Sequence, residues 1–296
     1  MSARRELVAG ITRKMPSAYR GQQRVLRLID ERLSKDPPQV VAPMRLGYSM
    51  RVDLRSRTEV FAYYTGRYDS PLISAAIKLL PTSGVAFDIG ANVGFWTVPL
   101  ALRGESVVAF EPVPSNASRI RENLALNSIE HRAEVRELAL SDEPGKVALS
   151  LREDFERGAG TGNASIVIDQ SDERFSTIEC PVDTLDNQVA MLGVERLDVV
   201  KMDVEGHEDY VLRGARTSLE RFRPVMFVEW NRDYYDRRGV SPTTAFAEAL
   251  RGLDYGVLRC DLQKWGPVEG FASPRDLDDL VLVPTEAIDR ALAALH

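Results

Sequence analysis

The chain contains only two cysteines, Cys180 and Cys260, which excludes a disulfide framework and a four-cysteine zinc site. Histidine is almost as scarce: His131, His207 and His296 are the only three. No apolar run approaches the ~18 residues of a membrane span. The basic start MSARRELVAGITRK lacks the apolar stretch of a secretory signal. No repeat or low-complexity tract interrupts the sequence. A net charge of −6 argues against a broad nucleic-acid-binding surface. The expectation is a cytoplasmic protein with no nucleic-acid partner and no stable membrane insertion.

What is present suits a folded enzyme-sized chain. Its 296 residues are 44% hydrophobic and 28% charged, enough to fill one large core and solvate its surface. The charge is unevenly placed. Residues 1–35 hold nine Lys or Arg against three acids, so they are +6 and the remainder is −12. Two helices are expected there, separated near Pro16, with Leu26, Ile29 and Leu33 at helical spacing in the second. A basic amphipathic segment suits a membrane surface or an acidic partner. The plainer expectation is packing on its own domain or, in a homo-oligomer, on a second subunit.

Next, Met44, Leu46, Tyr48, Met50, Val52 and Leu54 alternate strictly with polar residues or glycine, predicting a half-buried strand or a hairpin turning at Gly47. Residues 71–80 have helical spacing. Beyond them, apolar runs at 85–88, 107–110, 135–138, 197–202, 225–230, 257–259 and 280–283 read as strands. Helical patterns at 119–127, 208–220 and 243–251 lie between them. This alternation predicts a doubly wound α/β sheet. Pro99 falls in the first crossover helix, where a kink or an early stop is expected. Residues 151–177 break the pattern with RGAGTGNAS and a charged stretch, as a lid or binding loop would.

The segment from Val85 to Gly94 places Asp88 at the end of the first core strand, Gly90 two residues on and Gly94 four further. It falls where open α/β sheets bind ligands. It is not G-x-G-x-x-G, and a carboxylate ahead of its first glycine disfavours a pyrophosphate. Glu111 closes the next strand, 23 residues later, where an acid accepts hydrogen bonds from both hydroxyls of an adenosine ribose. A third strand end reads Leu138-Ala139-Leu140-Ser141-Asp142. A fourth runs through Lys201 and Met202 into Asp203, Glu205, Gly206, His207 and Glu208, a crowding of acids that calls for a cation, a cofactor or solvent.

In order, FDIGANVG (87–94), FEPVPSN (110–116), ENLALN (122–127), LALSD (138–142), GNASI (162–166), VDTLD (182–186) and KMDVEGHE (201–208) resemble the FkbM family of S-adenosylmethionine-dependent methyltransferases. The resemblance runs from Tyr68-Asp69 to Trp230 and implies a class I methyltransferase (Rossmann-like) fold: a seven-stranded, mostly parallel sheet with helices on both faces. With the N-terminal helical and β-hairpin segment (1–67) as an extension, residues 68–296 form the methyltransferase domain. It further implies S-adenosyl-L-methionine as cofactor, with Tyr68 among the residues that bind it and Asp88, Gly90 and Asn92 lining its methionine part. Glu111 would hold the ribose, Ser141 and Asp142 would lie by the adenine, and Asp203 near the sulfonium and acceptor.

The implied reaction is O-methylation of a sugar, glycoside or secondary-metabolite hydroxyl. A positioned base contributes ~10²–10⁴-fold to such a transfer. His207, Asp203 and Glu205 are the candidates, and neighbouring acids are expected to raise the histidine above its ordinary ~6.5. Asp203 and Glu205 are also the pair that would hold Mg²⁺; the metal-free base is favoured. Two alternatives stand beside this reading, a nicotinamide-dependent oxidoreductase and a catalytically silent cofactor-binding module. The missing glycine pattern disfavours the first, and the retained acids the second.

Overall fold

A computed structural model describes residues 3–15, 25–26, 28–30, 39–151, 164–166, 176–261, 264–271 and 275–296. Most of the expected second N-terminal helix and most of the expected lid loop lie outside these residues.

The first helix, Ala3–Thr12, precedes a hairpin of β1 (Gln39–Pro43) and β2 (Ser49–Asp53). Gly47 does form the turn, at φ +88, but the first strand lies upstream of the alternating run. The helix Arg57–Thr65 follows, N-capped by Ser56 and ended by Gly66 in the left-handed region. These segments are tied to the helix Pro114–Leu126 by a buried ion pair. Arg119 Nη2 lies 2.5 Å from Glu59 Oε2, and another Glu59 contact, 2.7 Å, accepts from the Asp53 amide.

The main sheet is built from β3 (Val85–Ile89), β4 (Ser106–Phe110), β5 (Ala133–Arg136), β10 (Val199–Met202), β11 (Val225–Asn231), β12 (Tyr255–Asp261), β13 (Lys264–Val268) and β14 (Leu277–Pro284). Its order is β13-β12-β14-β11-β10-β3-β4-β5. The run from β11 to β5 is parallel, while β14 is antiparallel to both β11 and β12. The expected seven strands are all present. The eighth, β13, forms a hairpin with β12 at the sheet edge.

The unbroken apolar runs are explained by burial on both faces. Ala86, Val107, Ala109, Val199 and Phe227 pack with the helices Ser70–Leu79, Thr97–Arg103 and Ile288–Leu295. Their alternates Phe87, Ile89, Val108, Phe110, Val200 and Met226 face the helices Leu185–Met191, Glu208–Arg213 and Pro242–Ala249. Pro99 lies in the first turn of its helix, which continues to Arg103, so the expected early stop does not occur.

The single helix expected over 208–220 is two, Glu208–Arg213 and Arg216–Phe222. Gly214 at the break is pressed against the Ser141 carbonyl, 2.0 Å from where a Cβ would sit. Asp186 of the VDTLD segment accepts from the amides of Thr217 and Ser218 and so caps the second helix. Between β5 and β10 is a second sheet, ordered β6-β9-β7-β8: β6 (Ala139–Leu140), β7 (Gly145–Leu151), β8 (Ala164–Ile166) and β9 (Ser176–Asp183). The sequence pattern had shown none of β7, β8 and β9.

Candidate active site

The carboxyl ends of β3, β4 and β10 converge on one cleft of about 900 Å³, a volume that includes its open mouth. Backbone bonds stitch neighbouring strand ends together. The amides of Gly90 and Ala91 donate to the Phe110 carbonyl, and the Asp203 amide donates to the Ile89 carbonyl. Gly90 has φ +76, and an added Cβ would fall 1.9 Å from the Asp203 carbonyl oxygen. Only glycine permits both the backbone conformation and the approach.

Eight of the ten candidate residues line this cleft: Tyr68, Asp88, Gly90, Asn92, Glu111, Asp203, Glu205 and His207. Ser141 and Asp142 do not. The third strand end contributes Leu138, Ala139 and Leu140 instead, joined by Leu149 of the second sheet. Ser141 sits behind His207, its Oγ 2.9 Å from the ring Nε2, and Asp142 pairs with Arg213 at 3.2 Å.

Glu111 is the most fully engaged acid in the cleft. One carboxylate oxygen accepts from the Asn92 amide at 2.8 Å; the other accepts from the Val113 amide at 2.9 Å and Asn116 Nδ2 at 3.4 Å. Burial nevertheless pushes it up to about 7. A carboxylate has about four lone-pair positions, so acceptor capacity remains toward the cleft. Asp88 is raised to about 6, chiefly by burial, against the 2.6 Å hydrogen bond it accepts from Thr97. The Asn92 side-chain carbonyl is buried and, among the described residues, accepts no hydrogen bond. Tyr68 stacks on Phe95 with centroids 4.2 Å apart.

His207 departs from expectation. Burial lowers it to about 4, and the guanidinium groups of Arg238 and Arg213 offset the raising effect of Asp209 and Asp142. Its ring stacks on Tyr210 at 4.2 Å. It is therefore neutral at neutral pH, not a base titrating above 6.5. An NMR titration of His207 should give a midpoint near 4; a midpoint between 6 and 7 would contradict this burial.

Glu208 acts within the protein: it accepts from the amides of Val204 and Gly206 at 3.2 Å each, and from the Tyr235 hydroxyl at 3.0 Å. It holds the tight turn in which Glu205 and Gly206 take positive φ. Among the described residues, no group of three or more His, Cys, Asp or Glu has a geometry that holds a metal ion.

Lys201 had no assigned role. It is 3% exposed, yet among the described residues it is the one lysine or arginine lining the cleft. Its ammonium lies 3.8 Å from Asp203 Oδ2 and 5.4 Å from the Trp96 ring centroid. Burial favours its neutral form, but Asp203, Asp279, Asp69 and Glu229 outweigh burial and hold it above the ordinary lysine value. Register brings them together: Lys201 pairs with Asp88 across β10 and β3, and Glu229 with Asp279 across β11 and β14. Asp69 reaches the group by accepting from Trp96 Nε1 at 3.2 Å.

A sheet of this order, with the antiparallel strand β14 inserted between β11 and β12, a glycine-forced turn after the first core strand and an acid closing the second, defines a class I methyltransferase fold. The Methyltransferase FkbM domain matches residues 88–259, more than half of the chain. The chain belongs to the FkbM methyltransferase family.

Similar proteins include the AMB antimetabolite synthetase AmbE of Pseudomonas aeruginosa, 28% identical over 59% of this chain but only 9% of that protein. The 2-O-methyltransferase NoeI of Sinorhizobium fredii is 29% identical over 57% of this chain and 72% of its own length. The 31-O-demethyl-FK506 methyltransferase FkbM of Streptomyces tacrolimicus is 27% identical over 51% and 66%. The chain thus spans less than a tenth of the first of these and about two thirds of the others.

Proposed function

We propose that the protein is an S-adenosylmethionine-dependent O-methyltransferase acting on a hydroxyl of a sugar, glycoside or secondary metabolite, with residues 68–296 as its catalytic domain. The observation that carries this reading is Glu111. It is a buried acid at the end of β4, fixed by three donors and facing a cleft roofed by a glycine-forced turn. That arrangement suits a ribose diol. The unpartnered Asn92 carbonyl suits the ammonium of an amino-acid moiety. Acids at Asp88 and Asp203 suit a cationic ligand. The names of NoeI and of the Streptomyces enzyme both specify transfer to oxygen, which favours a hydroxyl acceptor.

The bound cofactor supplies an electrophilic methyl group on a sulfonium. Asp203 lines the cleft beside Lys201 and is the base we favour for the acceptor proton. The Lys201 ammonium is placed to steady the acceptor oxygen as that proton leaves. His207 Nε2 is already within hydrogen-bonding distance of Ser141, and Glu205 lines the mouth. Holding the reacting groups in line contributes ~7–11 kcal/mol through proximity.

A hydrogen bond to a charged group contributes ~1.5–3 kcal/mol. Glu111→Ala is therefore expected to weaken S-adenosylhomocysteine binding about tenfold or more in calorimetry, in a protein that still folds but melts lower because the Asn92 and Val113 amides lose their acceptor. Equal affinity in both proteins would remove the ribose assignment. Transfer to a hydroxyl is tested with radiolabelled cofactor and a panel of methyl glycosides and macrolides. Alkali-stable label marks an ether; alkali-labile label would mark a carboxyl ester and redirect the acceptor assignment.

A further inference from the structure

The face of the first helix turned away from the protein combines exposed apolar groups with exposed cations. Leu7 is 66% exposed, Ile11 54% and Met15, just beyond the helix end, 43%. Residues spaced by four lie along one side of a helix, and the exposed Arg4 falls on the same side as Leu7 and Ile11; the exposed Lys14 follows in the turn just past the helix end. The opposite face is committed to the protein: Arg5 is buried against Asp30 at 2.9 Å, Ala9 is fully buried, and Arg13 donates to the Tyr63 carbonyl. Glu6, the one acid of the helix, lies on the flank toward Arg13.

A second element extends the patch. Arg45 and Arg67 both donate to the Met15 carbonyl, so two guanidinium groups meet at the helix end. Burial and the neighbouring Arg45 hold Arg67 below the ordinary arginine value. Neither is paired with a carboxylate among the described residues. Leu46, at the hairpin tip, is 42% exposed beside them. The surface thus offers Leu7, Ile11, Met15 and Leu46 interspersed with Arg4, Lys14, Arg45 and Arg67. The segment carrying the helix is +6 in a protein that is otherwise −12.

We propose that this surface, formed by the first helix and the hairpin turn, is a docking site for an anionic lipid bilayer. The chemistry selects that occupant. Cations alone suit any polyanion, but apolar side chains between them gain free energy only where they leave water, as at the boundary of headgroups and acyl chains. The overall charge asymmetry would orient the molecule with this end toward the negative surface and the acidic remainder away from it. Arg67 immediately precedes Tyr68, which lines the cleft, so docking places the cleft's Tyr68 side next to the membrane. The docking is peripheral: no helix among the described residues is long and apolar enough to cross a membrane.

The test is co-sedimentation of the full chain with vesicles of phosphatidylcholine alone and of phosphatidylcholine mixed with phosphatidylglycerol. The expected result is pelleting with the anionic vesicles only, weakened by about 0.5 M salt. Leu7→Asp/Ile11→Asp, and separately Arg4→Glu/Lys14→Glu, should each lower the bound fraction about tenfold or more. Melting temperature and S-adenosylhomocysteine affinity report whether the variants remain folded, and among the described residues the side chains of Arg4 and Lys14 have no ion pair or hydrogen-bond partner whose loss should unfold the chain. Absence of pelleting, or equal pelleting with neutral vesicles, would overturn the proposal. So would a concentration-dependent dimer abolished by Leu7→Asp/Ile11→Asp, which would assign the face to a second copy. Salt-sensitive binding to RNA without binding to vesicles would also reject it.

Discussion

Gly90→Ala is expected to lower S-adenosylhomocysteine affinity about 10²-fold or more and to destabilise the protein by about 1–3 kcal/mol. Two costs combine at this position. An alanine at φ +76 occupies the left-handed region, and its Cβ would stand 1.9 Å from the Asp203 carbonyl oxygen, so either the β3 loop or the β10 loop must move. Both loops line the cleft. A displacement of about 1 Å in a positioning segment is enough for losses of this size. Gly193→Ala separates the two costs. That residue has φ +61 and nothing within 4 Å of the added carbon, so it carries the backbone penalty alone. Calorimetry and denaturant unfolding of both variants check the prediction. Wild-type affinity in Gly90→Ala, or a stability loss no greater than that of Gly193→Ala, would show that the approach of the two loops is not tight.

The strands that carry the site were legible because they are buried on both faces. Residues 85–89, 106–110 and 199–202 read as nearly continuous apolar runs whose ends are marked by acids and glycine. The second sheet was not legible for the converse reason. Its strands β7 and β9 are half exposed, with lysine, glutamate, serine and proline among their residues, and they pair only with each other and with short neighbours. The break at Gly214 comes from a tertiary contact with Ser141, which no local pattern records.

The rise expected for His207 rests on nearby acids alone; burial and two arginines reverse it. One of these, Arg238, lies more than thirty residues further along the chain. Lys201 illustrates the same limit. One lysine within the otherwise apolar strand VVKM is a visible anomaly, but its partners arrive from β11, β14 and the start of the helix Ser70–Leu79. Only the sheet order brings Glu229 and Asp279 opposite one another.

That cluster gives the second large expected effect. Lys201→Met leaves Asp69, Asp203, Glu229 and Asp279 around an apolar side chain. Removing one member of a fully buried charged group costs ~3–5 kcal/mol when the remaining charges stay ionised. Here Lys201 is buried but Asp203, Glu229 and Asp279 are half-buried and Asp69 is exposed, so solvent screening makes the expected loss smaller. The acids need not stay ionised at every pH. Burial already raises Glu229 above the ordinary carboxylate range and Asp279 to about 6, and loss of the ammonium raises both further. A carboxyl whose folded value is raised contributes stability in full below its unfolded value and loses it as pH rises through the folded value. The deficit of Lys201→Met relative to wild type should therefore be small near pH 5 and approach the full cost near pH 8. Denaturant unfolding of both proteins at the two pH values measures it. A deficit equal at pH 5 and pH 8 would mean that Lys201 is held by packing against Trp96 and not by the acids around it.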